Sequence, residues 1–81
     1  MSYFVYILKC NDDTLYTGIA TDLNRRLDEH NNSDKGAKYT RVRRPVELVY
    51  SEASQDRSSA SKREYEIKKF SRSKKLELIN A

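Results

Sequence analysis

The chain has 81 residues, 37% of them hydrophobic and 35% charged, with two glycines, one proline and one cysteine. That is one domain over residues 1–81 around one small core, with no tract of the composition that keeps a segment disordered. A lone cysteine (Cys10) excludes an internal disulfide scaffold, and one histidine excludes zinc sites built from several Cys and His ligands. No secretory leader or apolar run of membrane length is visible, so a reducing, cytoplasmic setting with no membrane is expected.

The net charge of +4 is unevenly spread. Between Arg57 and Lys75, eight basic residues face only Glu64 and Glu66, a local +6, which leaves −2 for the rest of the chain. A second basic group, Lys35, Lys38, Arg41, Arg43 and Arg44, surrounds Tyr39. Such asymmetry points to a polyanionic partner, although a solvated helix face can carry the same composition.

Residues 3–9, YFVYILK, read as a well-buried strand, with Cys10 a small buried hydrophobe at its end. Asn11-Asp12-Asp13 is turn chemistry, and residues 14–20 form a second strand, making a hairpin. Tyr6 and Tyr16 stand ten residues apart in it, with Gly18 just beyond. If Cys10 pairs with Thr14, Tyr6 lies opposite Gly18 and Leu8 opposite Tyr16, all on one face. A register shifted by one would split them, and the sequence leaves both open. A glycine inside a strand often marks a place where another group comes close. The hairpin therefore offers two phenols and a bare patch of backbone; ordinary strand tyrosines and a bulge glycine are the plainer alternative.

Thr21-Asp22 caps a helix from Leu23 to about Asn31, which Asn32 to Gly36 ends. Its stripe at i, i+3, i+4 and i+7 should be apolar, yet carries Arg26 and His30 beside Leu23 and Leu27. A cation on a core-facing stripe must be paired or line a cleft. A buried salt bridge for Arg26 and a packing histidine at 30 are the alternatives to functional roles. Residues 37–44 are expected to be irregular or a short helical turn, followed by a third strand over 46–50. Ser58-Ser59 opens a helix to about Phe70, Ser71-Arg72-Ser73 interrupts it, and a last short helix covers about 74–79. The order β-β-α-β-α-α gives an α+β domain, a small antiparallel or mixed sheet with helices packed on it. In the second long helix, Ala60, Glu64, Ile67 and Ser71 form the least basic stripe. Glu64 there needs a partner, a metal ion or an arginine. A Glu64–Arg26 pair without chemistry is the economical reading.

The segment F-V-Y (4–6), then Y-T-G (16–18), D-L-N-R-R-L-D-E-H (22–30) and A-S-K-R-E-Y-E-I-K-K (60–69) resembles the GIY-YIG nuclease superfamily over nearly the whole chain. With G-A-K-Y-T (36–40) and R-R-P-V-E-L-V-Y (43–50), it is especially similar to the small stand-alone bacterial members. Other relatives are the nuclease domain of the excision-repair incision subunit, homing endonucleases and some restriction enzymes. The resemblance implies a three-stranded antiparallel sheet flanked by helices. It also implies a metal-dependent DNA endonuclease that hydrolyses phosphodiester bonds, with repair or recombination as its setting. Tyr6 and Tyr16 match the motif tyrosines, Gly18 the final motif glycine, Arg26 the catalytic arginine, His30 a position often His or Tyr, and Glu64 the metal-binding glutamate. Phe4 stands where the first motif has glycine, Thr17 where the second has a branched aliphatic, and Ile19 near where some relatives carry a lysine.

In that reading Glu64 holds one Mg²⁺ or Mn²⁺, Arg26 grips phosphate oxygens, and a tyrosine assists proton removal from water, with His30 able to assist. An ordinary tyrosine has a pKa of about 10, so roughly one in a thousand is ionised at pH 7. A phenolate base therefore needs nearby positive charge. Gly18, Lys38, Tyr39, Arg41, Lys68 and Lys69 are expected on the nucleic-acid side, gripping mainly the backbone. The competing class is a non-catalytic nucleic-acid-binding module using the same basic face. A third is a small subunit whose protein partner supplies targeting.

Overall fold

The computed structural model describes residues 2–81. Its elements are β1 (Tyr3–Lys9), β2 (Leu15–Ala20), α1 (Leu23–Asn32), α2 (Lys38–Arg41), β3 (Glu47–Ser54), α3 (Arg57–Lys68) and α4 (Arg72–Ile79). The strands form one antiparallel sheet in the order β2-β1-β3. The central position of β1 explains its nearly unbroken apolar sequence, because both of its faces are covered. Val5 and Ile7 pack on one side with Ala60 and Ile67 of α3. Tyr6, Leu8 and Cys10 pack on the other with Val46, Leu23 and Leu27. Cys10 is buried and free, as a small hydrophobe.

The hairpin takes the register that unites the site: Tyr6 opposite Gly18 and Leu8 opposite Tyr16. Asp12 holds the turn by accepting from the Thr14 hydroxyl and backbone N–H at 2.6 and 3.2 Å. Asp13, beside it, takes the left-handed backbone (φ 67°) that Asp tolerates in tight turns.

Several boundaries differ from the sequence expectation. The third strand runs to Ser54 rather than Tyr50, because it pairs along the full length of β1 and an edge strand can continue through polar residues once the ladder holds it. Helix α3 starts at Arg57, since Asp56 and not a serine is the cap, accepting from Ser59 N–H at 2.8 Å. Helix α4 starts at Arg72, capped by Ser71, so the expected interruption over 71–73 shrinks to the residues before the cap. Residues 38–41 make the single helical turn foreseen as one option.

Thr17, on the α3 side of β2, is buried, and its hydroxyl is the one buried side-chain polar atom without a partner among the described residues. An unmet hydroxyl costs about 1–3 kcal/mol relative to a satisfied one. The substitution for a branched aliphatic is thus a stability burden on the face away from the two motif tyrosines.

Candidate active site

Strands β1 and β2 bring Tyr6, Tyr16 and Gly18 to the face covered by α1. A Cβ at position 18 would lie 2.6 Å from Tyr6 Oη, 2.7 Å from its Cζ and 3.2 Å from Tyr16 Cε2. Only glycine leaves room for the Tyr6 phenol to lie across β2, so the bare patch of the hairpin is filled by Tyr6 itself.

Helix α1, capped by Asp22 Oδ1 on Arg25 N–H at 3.0 Å, carries His30 into the same layer. His30 Nε2 stands 2.8 Å from Tyr6 Oη, with His30 fully buried and Tyr6 2% exposed. His30 Nδ1 lies 2.8 Å from Thr40 Oγ1, and the Ala37 N–H approaches Nδ1 at 3.4 Å. Both ring nitrogens therefore have partners. The Tyr16 ring meets His30 edge-on at 5.3 Å and tilts against Tyr6 at 6.5 Å. On its far side Tyr39 stacks at 6.0 Å and 25°, and the Arg43 guanidinium lies 3.9 Å from the Tyr39 ring centre. The order Tyr6, His30, Tyr16, Tyr39, Arg43 runs from core to surface.

Arg26 closes the other side of Tyr6, with Leu8, Leu23, Leu27 and Leu48 around it. Its Nη1 donates to Glu29 Oε1 at 2.9 Å and to the Lys35 carbonyl at 2.8 Å. Both bonds use Nη1, and the guanidinium also reaches the Tyr6 phenol. The expected Glu64–Arg26 pair does not form. Arg26 has a nearer carboxylate on its own helix, three residues on, and Glu64 pairs with Lys68 at 3.3 Å, one turn along α3.

These neighbours set the proton chemistry. Burial pushes the Tyr6 phenol up to about 12; Arg26 works against that shift, while Tyr16 and the charge of Glu64 add to it. Burial, with Arg26 and Arg44 repelling a second cation, pulls His30 down to about 4, although Glu29 opposes them. At pH 7 the pair is a neutral phenol bonded to a neutral imidazole.

Glu64 comes from α3, on the opposite face of the sheet, yet its charge is felt at Tyr6. Its side chain is 22% exposed, so it lies at the margin of the protein rather than in the core. Among the described residues no group of three or more His, Cys, Asp or Glu side chains could cage a metal ion. Mg²⁺ does not require one: it keeps several waters and commonly binds one or two protein carboxylates together with substrate phosphates. A single partly exposed carboxylate fits that mode.

Of the expected nucleic-acid contacts, Lys38, Tyr39 and Arg41 sit exposed on α2, with Arg41 Nη2 donating to the Asp34 carbonyl at 2.7 Å. Lys68 and Lys69 sit exposed on α3 and its C-terminal cap; Lys69 Nζ lies 4.2 Å from the Tyr65 ring centre. Other members of the basic groups are structural. Arg44 donates to the carbonyls of His30 and Ser33, both at 2.6 Å, tying down the end of α1. Arg43 pairs with Asp12 at 3.1 Å, and Arg63 with Glu52 at 3.1 Å. Thr40, fully buried against His30, carries no charge or helical periodicity that sequence reading could have used.

Comparison with known proteins agrees with this geometry. Residues 2–77 match the GIY-YIG catalytic domain. The chain is 60% identical over 80 residues to a UPF0213 protein of Desulfotalea psychrophila, covering 99% of this chain and 73% of that one. It is 61% identical over 77 residues to a UPF0213 protein of Staphylococcus epidermidis, covering 95% and 93%. Among solved structures, the solution NMR structure of a UPF0213 protein from Bacillus halodurans superposes with a TM-score of 0.62 at 48% identity, covering 99% of this chain and 84% of that one. A solution NMR structure from E. faecalis gives 0.68 at 43% with the same coverage. With a two-tyrosine hairpin, an arginine and a histidine on one helix and a glutamate from another, the chain belongs to the GIY-YIG nuclease family, beside its small UPF0213 members.

Proposed function

We propose that this protein is a metal-dependent endonuclease that hydrolyses phosphodiester bonds in DNA, working in the cytoplasm as a single domain. The observation that carries the reading is the buried Tyr6–His30 bond of 2.8 Å with the Arg26 side chain beside it. Packing alone would be served as well by a leucine and a phenylalanine. A phenol and an imidazole joined in a desolvated layer, next to a fixed cation, are strongly perturbed ionisable groups of the kind that cluster at functional sites.

The roles follow from position. Arg26, anchored through Nη1 and set beside the Tyr6 phenol, offers its planar guanidinium to phosphate oxygens. Tyr6 takes a proton from the attacking water while passing its own to His30 Nε2, so a preformed phenolate is not needed. Tyr16 walls the site and holds the His30 ring edge-on. A divalent ion on Glu64, as the family generally uses, would offset charge developing on the phosphate and the leaving oxygen. The leaving oxygen takes its proton from solvent. Lys38, Tyr39, Arg41, Lys68 and Lys69 hold the backbone of the strand, and Gly18 serves by keeping Tyr6 in place.

A second reading has its own support. Tyr6 is nearly inaccessible and strongly protonated, as a fixed structural phenol would be, and the basic face would serve a non-catalytic binder equally well. The test is incubation of labelled duplex, single-stranded and branched DNA with Mg²⁺ or Mn²⁺. Products that vanish with chelator and with Glu64→Ala, while binding persists, are the expected result. Binding with a steep salt dependence and no products from the unaltered protein would favour the binder.

A further inference from the structure

We infer that Thr40 is a positioning residue that fixes His30 in the tautomer carrying its proton on Nδ1, so that Nε2 is free to receive the proton of Tyr6. The inference rests on the nuclease reading for its catalytic consequence and on geometry for the tautomer.

The shorter contacts select one assignment. The Thr40 hydroxyl donates to the Ala37 carbonyl at 2.9 Å. A hydroxyl has one proton, so Oγ1 can only accept in its 2.8 Å contact with His30 Nδ1. Nδ1 therefore bears the hydrogen. A neutral imidazole has a single N–H, so Nε2 is bare and accepts from the Tyr6 O–H at 2.8 Å. The one contact that argues otherwise is the Ala37 N–H pointing at Nδ1, but at 3.4 Å it lies beyond the usual range of about 2.7–3.2 Å. The Ala37 carbonyl also accepts the backbone N–H groups of Thr40 and Arg41, at 3.1 and 3.2 Å, so it is the fixed end of the α2 turn to which the hydroxyl is tied.

Tautomer choice decides what Tyr6 can do. With Nδ1–H, the Tyr6 O–H bond breaks toward Nε2, a water O–H bond breaks toward Tyr6 Oη, the water oxygen forms its bond to phosphorus, and the opposite P–O bond breaks, its leaving oxygen taking a proton from solvent. The imidazolium then holds one extra proton, with Nδ1–H still donating to Thr40, and later returns it to solvent through Tyr6. With Nε2–H, His30 would donate to Tyr6 Oη and could accept nothing from it. Thr40 thus acts through His30, from a turn ten residues further along the chain. Its full burial means that no water can take its place without repacking.

The protein contains one histidine, so its imidazole ¹⁵N spectrum is a single pair of signals. At neutral pH the protein should show a protonated Nδ1 and an unprotonated Nε2. Thr40→Val should lose that preference and lower the single-turnover cleavage rate about 10- to 100-fold with KM unchanged, the scale found for groups that orient an imidazole. Thr40→Ser should restore both. A protonated Nε2 in the unaltered protein, or a Thr40→Val variant with the original spectrum and rate, overturns the inference. Should the valine variant not fold, the spectrum of the unaltered protein and the serine variant decide. If no DNA is cleaved under any condition, the nuclease reading fails, while the spectrum still decides whether Thr40 sets the tautomer.

Discussion

Arg26→Ala is expected to lower the single-turnover rate of DNA cleavage by roughly a hundred- to a thousandfold, the usual scale for removing one group that stabilises transition-state charge. The fold should survive. The Arg26–Glu29 contact is a partly exposed i, i+3 pair, worth about 0.5 kcal/mol, and the four leucines around it stay in place. Arg26→Lys should recover only a fraction of the rate, because an ammonium cannot span two phosphate oxygens as the guanidinium edge does. The same substitution by alanine removes a cation that holds His30 in its neutral form, so the imidazole should titrate at a higher pH than in the unaltered protein. A rate within about fivefold of the original, measured at saturating DNA, would remove Arg26 from the chemistry.

Acid should destabilise the protein well before its carboxylates titrate. His30 is held near 4 by burial and by the repulsion of Arg26 and Arg44, against about 6.5 in an unfolded chain. Between those values the unfolded chain binds a proton that the folded protein refuses. Stability is therefore full above pH 6.5 and falls as the pH drops toward 4, by on the order of 3 kcal/mol over the window. Denaturant titrations at pH 7.5, 6 and 4.5 should show this slope, and His30→Gln should largely abolish it. Equal slopes in the two proteins would mean that His30 takes up its proton without unfolding cost. On the activity side, cleavage should be lost as His30 becomes charged and can no longer accept from Tyr6.

The legible parts of the sequence were those where a rule of periodicity was broken for a reason. Arg26 and His30 on a stripe that should be apolar, and Glu64 among Ala60 and Ile67, stand out because charge on a core-facing position needs an explanation. The structure answers with Tyr6 and Thr40 for the histidine, Glu29 for the arginine and Lys68 for the glutamate. The family resemblance added the order and spacing of the motifs, and with them the identity of the fold. What could not be read was anything that depends on tertiary closeness. The hairpin register, which decides whether Tyr6 meets Gly18, is set by a turn whose residues permit either parity. Thr40 is an ordinary threonine until α2 folds back on α1. Arg43 and Arg44 look like nucleic-acid contacts in a basic run, but their guanidinium groups are taken up by Asp12 and by the carbonyls at the end of α1. Basic composition counts charges without saying which are already engaged.

Tyr6→Phe deletes a single oxygen, the atom through which the account routes the proton. The most direct measurement is the single-turnover rate of this variant beside the unaltered protein, on the same DNA with the same divalent ion, together with the Kd for that DNA. The account predicts a rate lower by on the order of a hundredfold or more with an unchanged Kd, since general acid–base groups contribute on that scale and the buried phenol does not itself hold the backbone. A phenylalanine variant that cleaves at the original rate would contradict it, and would leave Tyr6 as a packing residue whose bond to His30 serves the fold alone.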